Sequence, residues 1–430
     1  MKQIITILIL IIALQKKSFA QCPIVSPIVI SSNGQVVEDV KIVASNSNAI
    51  TINGFSDVII RNCEIEYTGP YHGINFFNAD NLRIENTSVT YTNAPQSGAL
   101  PNANRNCIDG FKSQNIIISN VRLEDGSTGI RLNQCDNSLM QFIEGYNFRG
   151  PFPRGQLVQF DKCIGGTLQD FSVINDSNIS WTEDNVSIFK SGGQVIQRGF
   201  IDGNNSPSGV GILFEDQSEP DARGGIGGTV KDIDLINMGN GACSSVDGAG
   251  NVTFENIRIK QMICTDQGRG LPKSGALPFS GFGTEEGLGG NKIVNSIVFD
   301  PCKGEQTVYP TDKFEVIEIE TDEDFTPRTP IKAVLSQCNT LGTVNFNSYK
   351  KGQLNFYPNP AKDKIYVSSG NKEKTKELKI VDTNGKVVLK NKLNFGSKEI
   401  DVSTLSSGVY FVLLKTNSEI LASKMIKSSF

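Results

Sequence analysis

The middle of the chain carries carboxylate and guanidinium side chains at positions where a regular repeat would bring them together. Asp109, Arg131 and Asp161 each follow an apolar residue in a short alternating run. Two carboxyl groups beside a scissile bond perform glycoside hydrolysis, whereas a base with cations that neutralise a uronate carboxylate performs β-elimination. We therefore predict that the catalytic residues for one of these two reactions are Asp109, Arg131, Asp161, Glu183 and Asp184.

A second set of residues has the chemistry of a sugar-binding surface. Amide and guanidinium groups bond to hydroxyls and carboxylates, and an exposed indole can stack on a sugar ring. Trp181, the only tryptophan, lies in the polar segment 178–185, where anchoring of that loop is the alternative role. We predict substrate contacts from Gln159, Asn133, Arg149, Arg154, Trp181 and Glu215.

Calcium is the one cofactor that these side chains suggest. Asp109, Asp161, Glu183 or Asp184 could supply the oxygen ligands that Ca²⁺ prefers. No loop of regularly spaced acids identifies a metal site, so we assign no metal ligand and leave the cofactor open. His72, the sole histidine, could serve as a base, although a lone histidine at the corner of a repeat is more often structural.

These positions depend on a repeat that runs through the centre of the chain. Segments such as Asp57–Ile65, Asn81–Val89 and Asn115–Leu123 place anchor residues at n, n+3 and n+5, with Asn or Asp near the turns. Short β-type runs at a period in the twenties, stretched by inserted loops, are typical of a solenoid. The first anchors are Ile60, Ile84, Ile118, Met140, Leu168, Ile196, Val230, Phe254 and Val294.

A second strand can be aligned in each repeat from its inward apolar pair. Side chains alternate along a strand, so the intervening residues point outward and form columns. These columns predict a polar patch on one outer wall, although a solvated ladder of ion pairs is the alternative. One column contains Asn75, Asp109, Arg131, Gln159, Ser187 and Leu213, and the next contains Phe77, Phe111, Asn133, Asp161, Phe189 and Glu215.

Long insertions lie beside this wall. Loops on a rigid scaffold usually shape a binding surface, so the insertions favour a functional groove. They span residues 92–105, 146–155, 175–184, 204–224 and 265–290.

The first twenty residues predict a secretory signal peptide. Lys2 precedes the apolar run Ile4–Leu14, and Ser18-Phe19-Ala20 is a small-x-small cleavage site. The run is too short to cross a bilayer and no later segment approaches the required length, so we predict no transmembrane segment.

The last residues form a module of a different type. Alternating strands and an Asn384-Gly385 turn predict a small antiparallel β-sandwich. The stretches 357–360 (Tyr-Pro-Asn-Pro), 382–386 (Asp-Thr-Asn-Gly-Lys) and 405–410 (Leu-Ser-Ser-Gly-Val-Tyr) resemble the C-terminal sorting domain of the type IX secretion system of Bacteroidetes. The resemblance implies export through Sec and then the type IX machinery, to the medium or the outer cell surface.

The repeats, roughly residues 36–302, resemble the right-handed parallel β-helix of the pectate lyase and polygalacturonase superfamily. That resemblance implies a β-helix at 21–302. With the segments described above, we predict an all-β chain with a signal peptide at 1–20, this β-helix, a cap and linker at 303–352 and the sorting domain at 353–430. The resemblance also implies a sugar groove across an exterior face. Asp109 loosely matches an aspartate of the polygalacturonase motif, but Ser127 and Thr128 replace its paired aspartates, so that family's mechanism is not carried over.

Charge and cysteine content narrow the remaining choices. Residues 21–352 carry 25 basic and 38 acidic side chains, which argues against nucleic acid as a partner. Among the nine cysteines, Cys107, Cys135 and Cys163 are 28 residues apart and should stack, either as packed thiols or as a bridge. Cys302 with Cys338 is the favoured disulfide.

Two functions remain open from the sequence. The first is a secreted lyase or glycoside hydrolase that acts on an acidic extracellular glycan. The second is a non-catalytic glycan-binding or adhesive solenoid displayed at the cell surface. Fold alone does not decide between them, because solenoids of this type serve both functions.

Overall fold

The computed structural model describes 22–204, 209–238, 241–261, 289–300 and 314–335, and in the C-terminal part 355–358, 361–368, 376–381, 387–393, 398–406, 408–415 and 420–427. The chain divides into two compact units, Met1–Thr340 and Leu341–Phe430. No helix in the described ranges is long and apolar enough to cross a membrane. The predicted signal peptide, residues 265–288 of the last insertion, Cys302 and Cys338 lie outside these ranges.

The first unit consists of short strands. Their bounds are β1 Ile24–Val25, β2 Ile28–Val29, β3 Val36–Glu38, β4 Lys41–Ala44, β5 Ile50–Asn53, β6 Ile59–Arg61, β7 Glu64–Tyr67, β8 Ile74–Phe77, β9 Arg83–Tyr91, β10 Ile108–Phe111, β11 Ile117–Glu124, β12 Ile130–Asn133, β13 Leu139–Tyr146, β14 Val158–Asp161, β15 Thr167–Ile174, β16 Val186–Phe189, β17 Gln194–Asn204, β18 Val210–Glu215, β19 Gly228–Met238, β20 Gly241–Ser245, β21 Val252–Lys260, β22 Asn291–Val294, β23 Ser296–Phe299, β24 Phe314–Val316 and β25 Ile319–Glu320.

The strands of this unit stack rung upon rung into a right-handed parallel β-helix. One parallel sheet, here called sheet B, has the order β2-β5-β8-β10-β12-β14-β16-β18-β20. The other, sheet A, has the main order β1-β4-β7-β9-β11-β13-β15-β17-β19-β21-β22-β24, with β3, β6, β23 and β25 beside it. The solenoid predicted from the repeat is confirmed.

Inward apolar side chains fill the space between the sheets. Phe76, Ile118, Phe160 and Leu168 are fully buried, as expected for strands that are covered on their inner face. Gly110 occupies an inward position because a Cβ atom there would lie 2.1 Å from the Phe76 ring. The small residue lets Phe76 fill the lumen and keeps β10 in line with its neighbours.

The predicted anchor Val294 is wrong by one residue. Phe254 pairs with Ile293, so Ile293 faces the core and Val294 points outward. A one-residue slip exchanges the two faces of a strand. Two adjacent β-branched residues leave the alternation ambiguous at that point.

The predicted column of three cysteines is wrong for Cys107. Cys135 and Cys163 stack as packed thiols two residues after β12 and β14. Cys107 instead lies directly before β10, because Ile108 pairs with Ile130. Cys107, Cys135 and Cys163 are buried and free, and the Cys135 backbone N–H donates to Cys163 Sγ at 3.3 Å. Burial raises the pKa of the Cys107 thiol to about 12. Cys22 is disulfide-bonded.

Residues 323–334 form an extended strap across the outer face of sheet A. Lys260 Nζ donates to the Glu323 carbonyl, Arg328 N donates to Asp234 Oδ2 at 2.6 Å, and Asn120 Nδ2 donates to the Val334 carbonyl at 2.7 Å. Pro327 and Pro330 cannot continue a helix, which favours the extended form. The strap thus runs from the rung of β21 back to the rung of β11.

The second unit is a small antiparallel β-sandwich. Its strands are β26 Asn355–Tyr357, β27 Lys364–Ser368, β28 Lys376–Val381, β29 Val387–Leu393, β30 Lys398–Asp401, β31 Gly408–Lys415 and β32 Ile420–Lys427. They form the sheets β26-β27-β30 and β29-β28-β31-β32. Ile365, Ile380, Ile400 and Val412 are fully buried between them.

Candidate functional site

The outer face of sheet B carries both predicted columns. Asp109 pairs in register with Arg131, Arg131 with Gln159, and Gln159 with Ser187. The second column follows two residues later and ends at Glu215. The predicted patch therefore lies on one wall, with side chains from distant parts of the sequence on neighbouring rungs.

Asp109, Arg131 and Asp161 form a bridged set that we call the paired patch. Arg131 Nη2 donates to Asp161 Oδ2 at 2.8 Å, and Arg131 Nη1 lies 3.5 Å from Asp109 Oδ1. Asn133 Nδ2 also donates to Asp161 Oδ2, at 2.5 Å. One planar guanidinium thus lies between two carboxylates and contacts both.

Two residues outside the predicted site complete the patch from the Asp109 side. Asn106 Nδ2 donates to Asp109 Oδ1 at 2.7 Å, and the Asn106 backbone N–H donates to His72 Nδ1 at 3.1 Å. The hydrogen of the neutral imidazole is therefore on Nε2, which lies 4.0 Å from Asp109 Oδ2. Burial lowers the pKa of His72, which favours this neutral form.

Arg154 brings a second guanidinium to the patch. Its Nη1 donates to Gln159 Oε1 at 3.0 Å. Burial and the nearby charge of Arg131 lower the pKa of Arg154 to about 10. Gln159 and Arg154, both predicted to bind substrate, thus contact each other beside Arg131.

Several polar atoms in this region have no hydrogen-bond partner. Buried donors and acceptors are rarely left without one. Within the described ranges, unpartnered buried atoms include Arg131 Nε, Arg154 Nε, Asn133 Oδ1 and Ser187 Oγ. All four belong to the predicted wall or to the loop beside it, which is consistent with a polar ligand.

Glu183, Asp184 and Glu215 form a second set that we call the carboxyl cluster. Burial, with the charges of Asp216, Asp247 and Glu183, raises the pKa of Glu215 to about 7. Burial and the charges of Glu215 and Glu183 raise the pKa of Asp184 well above its usual range, and Asp184 Oδ1 accepts from the Val210 N–H at 2.9 Å. Asp184 and Glu215 therefore hold protons at pH values where an exposed carboxyl group is ionised.

Arg149 and Trp181 lie among the inserted loops and not in the paired patch. Arg149 is 4% exposed; it pairs with Asp125 Oδ1 at 2.7 Å and donates to the Pro95 and Ile179 carbonyls. The backbone N–H of Trp181 donates to the Phe148 carbonyl, and the indole ring lies beside Gly150. Arg149 therefore joins loops through its guanidinium, and Trp181 contacts the neighbouring loop; their roles as substrate contacts stay predictions.

The geometry does not favour calcium at the predicted carboxylates. Asp109 and Asp161 share Arg131, whose charge opposes a second cation. In the described ranges, no group of three or more His, Cys, Asp or Glu side chains is arranged to hold a metal ion.

Sequence comparison identifies the C-terminal unit. Residues 355–428 match the family described as secretion system C-terminal sorting domain. This unit is a type IX sorting domain. It directs the chain to the extracellular space or the outer cell surface, as its sequence motifs predicted. No curated protein sequence matches the chain.

Structure comparison finds other β-helix proteins. The catalytic domain of GH87 alpha-1,3-glucanase in complex with nigerose has a TM-score of 0.36 at 14% identity, over 68% of this chain and 55% of that one. A variant of that domain in complex with tetrasaccharides gives 0.33 at 12%, with the same coverage. Full-length tailspike protein 2 from Escherichia coli O157:H7 bacteriophage CAB120 gives 0.33 at 8%, over 95% of this chain and 64% of that one. The chain spans about half the length of the glucanase domain.

Proposed function

We propose that the solenoid is a secreted glycoside hydrolase that cleaves an acidic extracellular polysaccharide along the outer face of sheet B. The observation that carries the proposal is a pair of carboxyl groups with opposite surroundings. Asp161 is bonded to the Arg131 guanidinium, whereas Glu215 has carboxyl neighbours and a pKa raised to about 7. Titratable groups whose environments separate their proton affinities are typical of an acid and base pair.

The spacing of this pair suits inversion at the anomeric carbon. Asp161 and Glu215 occupy the same outward column, with Phe189 between them. Strands are about 4.8 Å apart, so two rungs separate their Cα atoms by about 10 Å. Inverting glycosidases place their carboxyl groups about 6.5–9.5 Å apart and retaining ones about 5–5.5 Å.

Each residue then has a defined task. Glu215 transfers its proton to the glycosidic oxygen as the bond to the anomeric carbon breaks. Asp161 takes a proton from the water whose oxygen bonds to that carbon from the opposite side. Arg131 and Asn133 orient Asp161, and Asp109 orients Arg131.

Aromatic rings along the same column supply surfaces for sugar rings. Phe77 and Phe111 are stacked with centroids 5.6 Å apart, and Phe189 lies on the rung between Asp161 and Glu215. Aromatic faces next to polar groups are suited to binding pyranose rings. A glycan lying along the solenoid axis would contact these rings in turn.

The test is hydrolysis by the folded protein of pectins, alginates, ulvans and carrageenans, measured as new reducing ends. Glu215→Gln and Asp161→Asn should each lower kcat by about 10²–10⁴ while glycan binding is retained. Asp170→Asn is the matched control, because Asp170 pairs with Arg198 at 2.7 Å on sheet A; it should leave kcat unchanged.

Activity should also fall as pH rises above about 7, since Glu215 then loses its proton. An ultraviolet-absorbing unsaturated product would instead identify a β-eliminating lyase. Glycan binding without product from any substrate would contradict the enzyme and favour a display protein.

A further inference from the structure

The corner that follows sheet B contains an unusual column. Each strand of sheet B from β5 to β18 is followed directly by one residue with positive φ. Lys112 at 49°, Lys162 at 55° and Lys190 at 51° are three of them, and the others are Gly54, Asn78, Gln134 and Asp216. Asn and Asp tolerate this left-handed conformation best, and they occupy most of the other corners. Lysine gains nothing from such a backbone, so a role for its side chain is the more economical explanation.

The three lysines lie on a short stretch of the solenoid beside the proposed groove. Lys112 N donates to the Asn133 carbonyl and Lys162 N donates to the Phe189 carbonyl, as in successive rungs. Lys112 Nζ lies 5.2 Å from the centroid of the Phe111 ring, and Lys190 Nζ lies 5.4 Å from that of Phe189. The ammonium groups of Lys112 and Lys190 therefore lie near rings of the aromatic column.

One carboxylate already occupies part of this column. Asp221, on the inserted turn 216–224, lies 2.5 Å from Lys162 Nζ and 2.8 Å from Lys190 Nζ. Arg223 holds that turn in place: its Nη1 donates to the Lys162 carbonyl and its Nη2 to Asp136 Oδ2. Lys112 forms no salt bridge with any described residue and is exposed.

We propose that Lys112, Lys162 and Lys190 form a lysine ridge that binds the carboxylate or sulfate groups of the glycan, with Asp221 as an internal competitor for two of the three. The proposal rests on the proposed function, because it assumes that the glycan lies along the outer face of sheet B. The evidence specific to the ridge is the contact of the Asp221 carboxylate with Lys162 and Lys190, which shows how an external anion would be bound. Lys112 and Lys162 are two rungs apart, about 10 Å, so anionic groups on alternate sugars could reach both.

The test compares charged glycans with their neutral derivatives. Polygalacturonate is set against its carboxyl-reduced form, and a carrageenan against its desulfated form; affinity electrophoresis measures binding. The full chain should prefer the charged member of at least one pair, and the preferred pair identifies carboxylate or sulfate. Replacing all three lysines by Gln should weaken that binding about tenfold.

Asp221→Asn should change the affinity for the charged glycan in the opposite direction. It frees two ammonium groups from their internal carboxylate, so binding of the charged glycan should strengthen severalfold. Lys231→Gln is the control, because Lys231 pairs with Glu255 at 2.7 Å on sheet A; it should change nothing. Equal binding of charged and neutral members, or weaker binding by Asp221→Asn, would overturn the ridge.

The two proposals can fail separately. Hydrolysis that depends on Glu215 but not on the lysines would leave the enzyme and remove the ridge. Binding that depends on the lysines, without product from any glycan, would leave the ridge and remove the enzyme.

Discussion

The paired patch and the carboxyl cluster both lie at sheet B, but the charges around their carboxyl groups are opposite in sign. In the paired patch, Arg131 contacts both Asp109 and Asp161. In the carboxyl cluster, Asp184 and Glu215 are buried beside other acids, and their pKa values are raised. Glu215 ends β18 of the same sheet, whereas Glu183 and Asp184 belong to the loop before β16, so the difference comes from which side chains the strands and that loop bring together.

The comparison shows how a regular solenoid can build an irregular active site. A rung carries its outward residue to a fixed place whatever that residue is. Placing Arg131 between two aspartates gives a charged pair, and placing Phe189 between Asp161 and Glu215 keeps those acids apart without a cation. Acid and base roles can then separate along one column.

The largest effect should follow loss of Arg131. Arg131→Met leaves Asp109 and Asp161 close together without their cation, and breaking such a partly buried pair costs about 3 kcal/mol. Arg83→Met is the control, since Arg83 is 48% exposed in its pair with Glu85; it should cost less than about 1 kcal/mol. Urea unfolding of the solenoid measures both, and equal losses would mean that Arg131 stabilises no more than a surface pair.

The sequence predicted the columns well because alternation along short strands leaves little freedom. Ile108, Ile130 and Val158 face inward, so Asp109, Arg131 and Gln159 must face outward and stack. The Arg131 bridge follows from that register. Where two apolar residues adjoin, as at Ile293 and Val294, the same rule slips by one residue.

Contacts made by corners and loops could not be predicted in this way. His72 lies before β8, outside the alternating pattern, and its orientation depends on the Asn106 N–H. Arg149 has the residue type of a sugar ligand, but loop carbonyls surround it. The strap joins Asn120 to Val334 across 214 residues, and no periodic signal marks such a contact.

A buried carboxylate on sheet A that also pairs with arginine gives a comparison with the paired patch. Asp234 is fully buried; Arg258 contacts it at 2.7 Å and Arg328 of the strap at 3.0 Å. Arg328→Ala leaves Arg258 in place, so the loss of stability should be about 1 kcal/mol, with faster amide exchange confined to the strap. Uniformly faster exchange across the solenoid would show that the strap supports the whole unit.

The smallest effect should come from adjusting one neighbour in the carboxyl cluster. The charge of Asp216 helps to raise the pKa of Glu215, and Asp216 has a φ of 56° that Asn also tolerates. Asp216→Asn should therefore lower the pKa of Glu215 and move the alkaline limb of kcat/KM down by roughly half a unit. Glu219→Gln is the control, because Glu219 lies on the same turn but is not among the charges that raise the pKa of Glu215; it should leave that limb in place.

The free energy of unfolding should follow the same carboxyl group. Because a raised carboxyl pKa favours the folded state at low pH, stability should be lost as pH rises through about 7, and the loss should be smaller in Asp216→Asn. If the alkaline limb does not move in Asp216→Asn but activity is still lost in Glu215→Gln, burial alone sets the pKa of Glu215.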